Sequence, residues 1–216
     1  MQIEVMENIF DENDKTADEL RELFRAKNVF VLNLLGSPGS GKTSLLEQTL
    51  GEIGKKFKTA VIEGDLFTDR DAARIEKHGV PVIQINTVGG CHLDAPMIKK
   101  AIGSLDLDNL DLLIIENVGN LVCPASFDLG ENARAVVLSI TEGDDKPLKY
   151  PIIFKDASIV LLNKIDLIEF TNFDLESARK DLQSINPNVE IVETSCTKDR
   201  GLDCWCHWLE NQLKVD

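Results

Sequence analysis

The octapeptide GSPGSGKT, Gly36 to Thr43, lies between an apolar run and a segment with helical spacing, and its residue types suit a polyphosphate. Gly36, Gly39 and Gly41 let successive backbone N–H groups turn inward around a β-phosphate. Lys42 is spaced to reach the β and γ oxygens, and the Thr43 hydroxyl suits Mg²⁺. Ser37, Ser40 and Ser44 complete the phosphate-binding set. A plain glycine-rich turn is the alternative, and the strand-to-helix context argues against it.

Two later strand ends extend this chemistry. In LLIIENVGN, Glu116 closes an apolar run with Gly119 three positions on, the arrangement of a magnesium-facing acid that leads into a switch loop. In LLNKID, Asn163, Lys164 and Asp166 close another run. An Asp carboxylate accepts from both N1–H and the exocyclic amine of guanine, a donor pair adenine lacks, so Asp166 selects GTP over ATP. Lys164 is expected along the base and the phosphate loop, and Ser195 and Cys196 in ETSCTKDRG are expected to support the base through backbone N–H groups. The first switch, EGDLFTDRDAARI, offers Asp65, Asp69 and Asp71. Asp65 is nearest the strand end and is the expected Mg²⁺ ligand. Asp69 and Asp71 either position the attacking water or complement a helix dipole. The candidate catalytic set is therefore Lys42, Asp65, Asp69, Asp71 and Glu116. Arg70 and Arg74 are the nearby arginines that could act on a transferring phosphate, with a surface helix charge the alternative for Arg74.

A different chemistry sits in TVGGCHLDA, where Cys91 adjoins His92 in a chain with only 3 histidines. Neighbouring side chains on a strand diverge, so the two converge on one ion only in a loop, which Gly89 and Gly90 provide ahead of a helix starting at Ala95-Pro96. Cys123 follows seven residues after Glu116, and parallel topology can bring both strand-end loops to one sheet edge. Thiolate and imidazole suit Zn²⁺ or Ni²⁺, with water or a second chain completing the shell. The alternative is two small buried thiols and a capped loop histidine. In DCWCHWLENQL, Cys204 and His207 share a helical face, but Trp205, Trp208 and Leu209 describe an ordinary core stripe.

The elements that must position these groups are legible as alternation. Thr16 to Lys27 repeats apolar residues at Ala17, Leu20, Leu23 and Phe24, an amphipathic helix with Thr16 as N-cap. Seven apolar runs follow, from NVFVLNLLG to NVEIVETS, several separated by helical segments at Ser44 to Ile53, Asp71 to Lys77, Ala95 to Leu105 and Leu175 to Ser184. Near-continuous apolar strands alternating with helices predict a mostly parallel α/β sheet. TEGDDKPLKYP reads as a polar loop. At 216 residues and 43% hydrophobic the chain fits one core. With 23 basic against 37 acidic residues and a net charge of -14, the surface disfavours nucleic acid and anionic membranes, leaving proteins, metal cations and small molecules as partners. No stretch approaches the roughly 18 to 20 apolar residues of a bilayer span, and the N-terminus has no leader pattern, so a cytoplasmic protein is expected. An odd 5 cysteines fits reduced thiols or ligands better than disulfides.

Together GSPGSGKTS, EGDLFTDRDAARI, TVGGCHLDA, ENVGNLVCPASFDLGE, TEGDDKPLKYP and NKIDL resemble the HypB family, GTPases that assist nickel insertion into nickel-iron hydrogenase and are related to UreG. UreG-type proteins carry a Cys-Pro-His arrangement instead, so the Cys-His with a separate Cys-Pro favours HypB. The resemblance implies a SIMIBI-type P-loop NTPase fold, with an N-terminal helical extension over 1–28 and a GTPase domain over 29–216. It implies GTP, Mg²⁺ and Ni²⁺ or Zn²⁺ as cofactors, and Cys91, His92 and Cys123 as the metal site. It also implies GTP-dependent homodimers, with a HypA-type nickel chaperone and the hydrogenase large subunit as partners. Many relatives carry an N-terminal cysteine motif or histidine-rich stretch; residues 1 to 30 contain neither Cys nor His, so nickel storage is not expected. Two other classes compete: a P-loop small-molecule kinase with structural cysteines, and a zinc-stabilised interaction module. Intact Lys42, Thr43 and Asp166 weigh against the module, and the only tight basic cluster, GKKFK, lies away from where a kinase lid would act.

Overall fold

The computed structural model describes residues 2–65 and 70–214, with residues 2–9 as backbone alone. The strands are β1 (Phe30–Gly36), β2 (Thr59–Asp65), β3 (Val82–Asn86), β4 (Leu112–Glu116), β5 (Ala133–Ser139), β6 (Ile159–Asn163) and β7 (Glu190–Thr194). They form one 7-stranded parallel sheet in the order β3-β2-β4-β1-β5-β6-β7. Each lies inside one of the expected apolar runs. From β1 the chain winds toward one edge, returns at β4 and then crosses β1 to β5. That reversal opens a crevice at the carboxyl ends of β1 and β4.

Strand periodicity assigns side chains to the two faces. Leu32, Leu34, Val61 and Ile114 pack beneath α2 (Lys42–Glu52), α3 (Arg70–Glu76) and α8 (Leu202–Leu213). The alternate residues Val31, Ile62, Leu113 and Ile115 pack beneath α1 (Gln2–Lys27) and α4 (Ala95–Ile102). Farther along that second face, Val136 and Val160 meet α6 (Pro151–Lys155) and α7 (Leu175–Ile185). Glu63 and Glu116 fall in step with Val61 and Ile114, on the α2 face. Asn117, one residue later, bonds to Asn33 on the α1 face.

Three local expectations are corrected. Thr16 is not an N-cap: its hydroxyl donates to the Glu12 carbonyl at 2.9 Å within a helix that begins at Gln2. Of the four apolar positions expected to dock α1, Ala17, Leu20 and Phe24 are buried, whereas Leu23 is exposed. The TEGDDKPLKYP segment is not simply a loop. Ser139 and Glu142 form a capping box on a 3₁₀ turn, and prolines in the first turns of α5 (Lys146–Lys149) and α6 start two short helices. The start expected for α4 holds, with Asp94 accepting from Met97 N as its cap. Among the described residues no helix is long and apolar enough to cross a membrane.

Candidate functional site

A cleft of about 430 Å³ opens at the carboxyl ends of β1, β2 and β4, walled by Lys42, Thr43, Glu63, Asp65, Glu116 and Gly119. The loop from Gly36 to Gly41 turns as only glycine allows. Gly36 sits at φ +150°, where a Cβ would lie 2.4 Å from Val137 O; Gly41 sits at φ +101°, where one would lie 2.4 Å from Asn163 Nδ2. Ser40 N donates to Ser37 O at 3.2 Å, and the buried Lys42 ammonium donates to the carbonyls of Gly36 and Ser37, each at 3.3 Å. The guanine-type motif grips this loop from the side. Asn163 Nδ2 donates to Ser40 O at 2.9 Å and Lys164 Nζ to Gly39 O at 2.6 Å. Gly119 presses on the loop from the other side, with a hypothetical Cβ 2.8 Å from Pro38 N.

At the floor, Glu63 and Glu116 stand opposite each other in the β2–β4 register, and Thr43 Oγ1 donates to Glu116 Oε1 at 2.9 Å. Both carboxyls are buried, and Oε2 of each has no hydrogen-bond partner. Burial, then the neighbouring Glu116 charge, push Glu63 up to about 10, so it holds a proton at neutral pH. Burial also raises Glu116, opposed by the Lys42 ammonium. Two carboxyl groups with unpartnered oxygens beside a hydroxyl form a hard oxygen donor set that fits Mg²⁺. Glu63 escaped the sequence reading, although its signal was present: it is two residues before Asp65 on the same strand face, and reading EGD for its last acid alone hid it.

The switch acids separate. Asp65 walls the cleft, and its carbonyl accepts from Thr87 N at 3.0 Å. Asp71 is held in an ion pair with Arg74 at 2.9 Å, and the same guanidinium reaches Glu47 at 2.5 Å and Ser44 Oγ at 3.3 Å. Arg74 is therefore a clamp between α2 and α3 and not a free surface charge. Asp69 lies outside the described residues.

At the base end, Asp166 accepts from Ser195 Oγ at 2.6 Å and Thr197 Oγ1 at 3.1 Å, and the Ser195 bond chiefly holds its carboxyl below the usual range. Here a correction is needed. Ser195 does not offer its backbone N–H to a base, because that group donates to Arg200 O at 2.9 Å; it acts through its hydroxyl on Asp166. Cys196 is half-buried, with its thiol pushed up to about 11 by burial and then by Asp166. Thr197 was not singled out from sequence; its one signal was its place two residues beyond Ser195.

The second chemistry gathers where expected. The loop after β3 crosses the end of β2, where a Cβ on Gly64 would lie 2.8 Å from Leu93 Cδ1, and meets the loop after β4. Cys91 Sγ lies 2.7 Å from Cys123 Sγ and 3.7 Å from His92 Nδ1, and the three ligand atoms fall within 4.8 Å of one another. Two thiolates bound tetrahedrally at ~2.3 Å sit roughly 3.7 Å apart, so a small side-chain rotation suits the pair to an ion. The Cys91 thiol is raised by its bond to Cys123 and then by burial, while burial lowers His92 and keeps its imidazole neutral, the form that ligates. His92 stacks on Phe127 at 3.8 Å. Cys204 and His207 are exposed and Cys206 is buried, and among the described residues these form no comparable cluster.

The profile described as "CobW/HypB/UreG, nucleotide-binding domain" matches residues 30–193. Hydrogenase maturation factor HypB of Escherichia coli (strain K12) is 52% identical over 210 residues, covering 97% of this chain and 72% of that protein. This chain belongs to the HypB family. HypB from Helicobacter pylori, solved in complex with nickel, superposes with a TM-score of 0.89 at 42% identity over 94% of this chain and 95% of that one. A more distant likeness, to the signal recognition particle receptor FtsY from Elizabethkingia anophelis (TM-score 0.54, 15% identity, 84% of this chain and 65% of that one), shows a shared fold alone. The cleft and the thiol cluster thus sit in a HypB-family chain in which the segment after β4 borders both.

Proposed function

We propose that this HypB-family chain is a GTP-hydrolysing metallochaperone that handles nickel for hydrogenase maturation. The observation that carries the reading is the segment 116–123. Its first residue accepts a hydrogen bond from Thr43 in the nucleotide cleft, and its last touches Cys91 in the thiol cluster. A group binding at one end therefore acts on the other through eight residues of chain.

In this reading Gly36 to Gly41 and Ser44 cradle the phosphates, Lys42 neutralises their β and γ oxygens, and Asp166 reads guanine, oriented by Ser195 and Thr197. Thr43, Glu116, Glu63 and Asp65 would hold Mg²⁺, which offsets the charge developing on the transferring phosphoryl group. Loading the ion requires the Glu63–Glu116 pair to give up its proton. Cys91, His92 and Cys123 hold Ni²⁺ or Zn²⁺ as cargo, and since one chain offers three ligands, a second copy or water completes the shell. The nickel-bound relative and the relatives' name as hydrogenase maturation factors support nickel and a hydrogenase client. A HypA-type chaperone, the hydrogenase large subunit and a GTP-dependent homodimer are the proposed partners, in the cytoplasm.

The test is Ni²⁺ and Zn²⁺ titration of the wild type and of Cys91→Ala, with particle mass from light scattering in GDP and in a non-hydrolysable GTP analogue. Loss of metal binding in the variant and nucleotide-dependent dimers in the wild type are expected. Identical metal affinity and identical mass in both nucleotides would overturn the coupling. An effector coupling of about 1 to 3 kcal/mol predicts a change in metal affinity of roughly 5 to 150-fold.

A further inference from the structure

The helix α1 packs on α4 and the sheet, and several of its side chains also reach toward the thiol cluster, to the start of α4 and to the loop after β4. Asn13 is 2% exposed, a buried amide on an otherwise apolar helix face. Its Oδ1 accepts from Ala95 N at 2.9 Å, and its Nδ2 donates to Asp128 O at 3.0 Å. Ala95, the first residue of α4, is three residues beyond His92, and Asp128 is five beyond Cys123, so one side chain ties the helix start that ends the Cys91-His92 loop to the loop after β4. The surrounding contacts act on the same strut. Phe10 packs with its ring tilted at 5.3 Å against Phe127, the ring on which His92 rests. Arg21 pairs with Asp128 at 2.5 Å, and Gly130 lies so close to α1 that a Cβ would fall 2.8 Å from Ala17 O.

We infer that Asn13 is a positioning residue for the metal site: its amide sets the spacing between the Cys91-His92 loop and the Cys123 loop, and α1 is the brace of that site. The inference rests on the metal reading above. A buried amide that satisfies one donor at the start of α4 and one acceptor in the loop after β4 fixes both at once, whereas an apolar residue would leave Ala95 N and Asp128 O unpaired. Groups hydrogen-bonded directly to metal ligands set affinity by roughly 10 to 100-fold; Asn13 acts on the same ligands through the backbone on either side of them.

The experiment uses the full chain with Asn13→Ala and Asn13→Asp. Ni²⁺ is titrated against a chelator, sulfur-to-nickel charge-transfer absorption is recorded, and GDP affinity is measured in parallel. Asn13→Asp retains the acceptor for Ala95 N and loses the donor to Asp128 O, and it remains the test if the alanine variant does not fold. The expected result is nickel affinity lowered roughly 10 to 100-fold with a shifted charge-transfer band, and GDP affinity within about 2-fold of wild type. Wild-type nickel affinity and absorption in the folded variants, or parallel loss of GDP and nickel, overturns the assignment. A wild type that binds no nickel with sulfur character removes the metal reading itself, an outcome separable from the first two.

Discussion

Replacing Glu63 by Gln puts the buried carboxyl pair to a quantitative test. Glu63 is 3% exposed, and burial together with Glu116 raises its pKa from 4.5 to about 10. Below pH 4.5 the group is protonated in both folded and unfolded chains and costs nothing. Above it, the unfolded chain ionises freely while the folded one holds its proton, and stability falls by about 1.4 kcal/mol per pH unit until the folded group ionises near 10. At pH 7 this is a penalty of about 3 kcal/mol. Gln is nearly isosteric, carries no charge and keeps a donor toward Glu116, so the variant escapes the penalty. Without magnesium and nucleotide, its unfolding midpoint should match wild type near pH 4.5 and lie roughly 6 to 12 °C higher at pH 7, using ~2 to 4 °C per kcal/mol for a chain of this size. Adding Mg²⁺ and GDP should reverse the order, because Gln cannot supply an anionic oxygen. Scanning calorimetry from pH 4.5 to 8, with and without Mg²⁺ and GDP, reads both effects. A gap between the two proteins that does not vary with pH, or a variant that gains as much from Mg²⁺ as wild type does, refutes the reasoning.

Ser195→Ala removes the main cause of the lowered Asp166 carboxyl. An acid with a depressed folded pKa contributes above its unfolded value of 3.8 and loses that contribution as pH falls. GTP binding in the variant should therefore weaken at a higher pH than in wild type, read by a fluorescent nucleotide titration from pH 3.5 to 7. Arg74→Ala should leave single-turnover GTP hydrolysis within about 3-fold, because its guanidinium is engaged by Glu47 and Asp71; a loss of 10³-fold or more would instead make it the missing phosphate-stabilising arginine. Gly64→Ala drives a methyl group into Leu93 and should lower nickel affinity at least ~10-fold with little change for GDP, checked by paired titrations. Gly119→Ala forces the loop after β4 off Pro38 and should weaken nucleotide binding by ~10-fold or more; unchanged GDP affinity would show that the close approach is dispensable.

The strands were legible because the five inner ones are apolar runs buried on both faces and the partly exposed edge strands β3 and β7 keep the same β-branched pattern, and the phosphate loop and NKID because their residue types have one economical use at a strand end. Helix limits were less so. Thr16 has the chemistry of a cap, but a hydroxyl can equally return to the carbonyl four residues back, and nothing local distinguishes the two uses. The short helices after β5 hid behind Asp, Gly and Pro, residues that open a helix as readily as they end one. Glu63 was hidden because its importance depends on a partner, Glu116, that only the β2–β4 register brings opposite. Asn13 was invisible for a similar reason: its partners are 82 and 115 residues away.

Strand periodicity supplies the physical basis for joining nucleotide to metal. Glu116 and Asn117 are neighbours in sequence, and the pleat sends them to opposite faces of the sheet. Glu116 meets Thr43 on the α2 face; Asn117 Oδ1 accepts from Leu93 N at 3.3 Å, one residue past His92, on the α1 face. Asn120 adds a second link, its backbone N–H donating to Gly36 O at 3.1 Å and its side chain to Cys91 O at 3.4 Å. Under the proposed function, Glu116 and Thr43 would hold the magnesium of a bound nucleotide, and any displacement of Glu116 there would be passed to the peptide that carries Asn117, and with it to the support of the His92 loop. Linkage makes the argument symmetrical: whatever factor nucleotide exerts on nickel affinity, nickel must exert on nucleotide affinity. Under the proposed function, the same hydrogen bonds that let GTP release the cargo also let a bound cargo select the nucleotide state in which the chain waits.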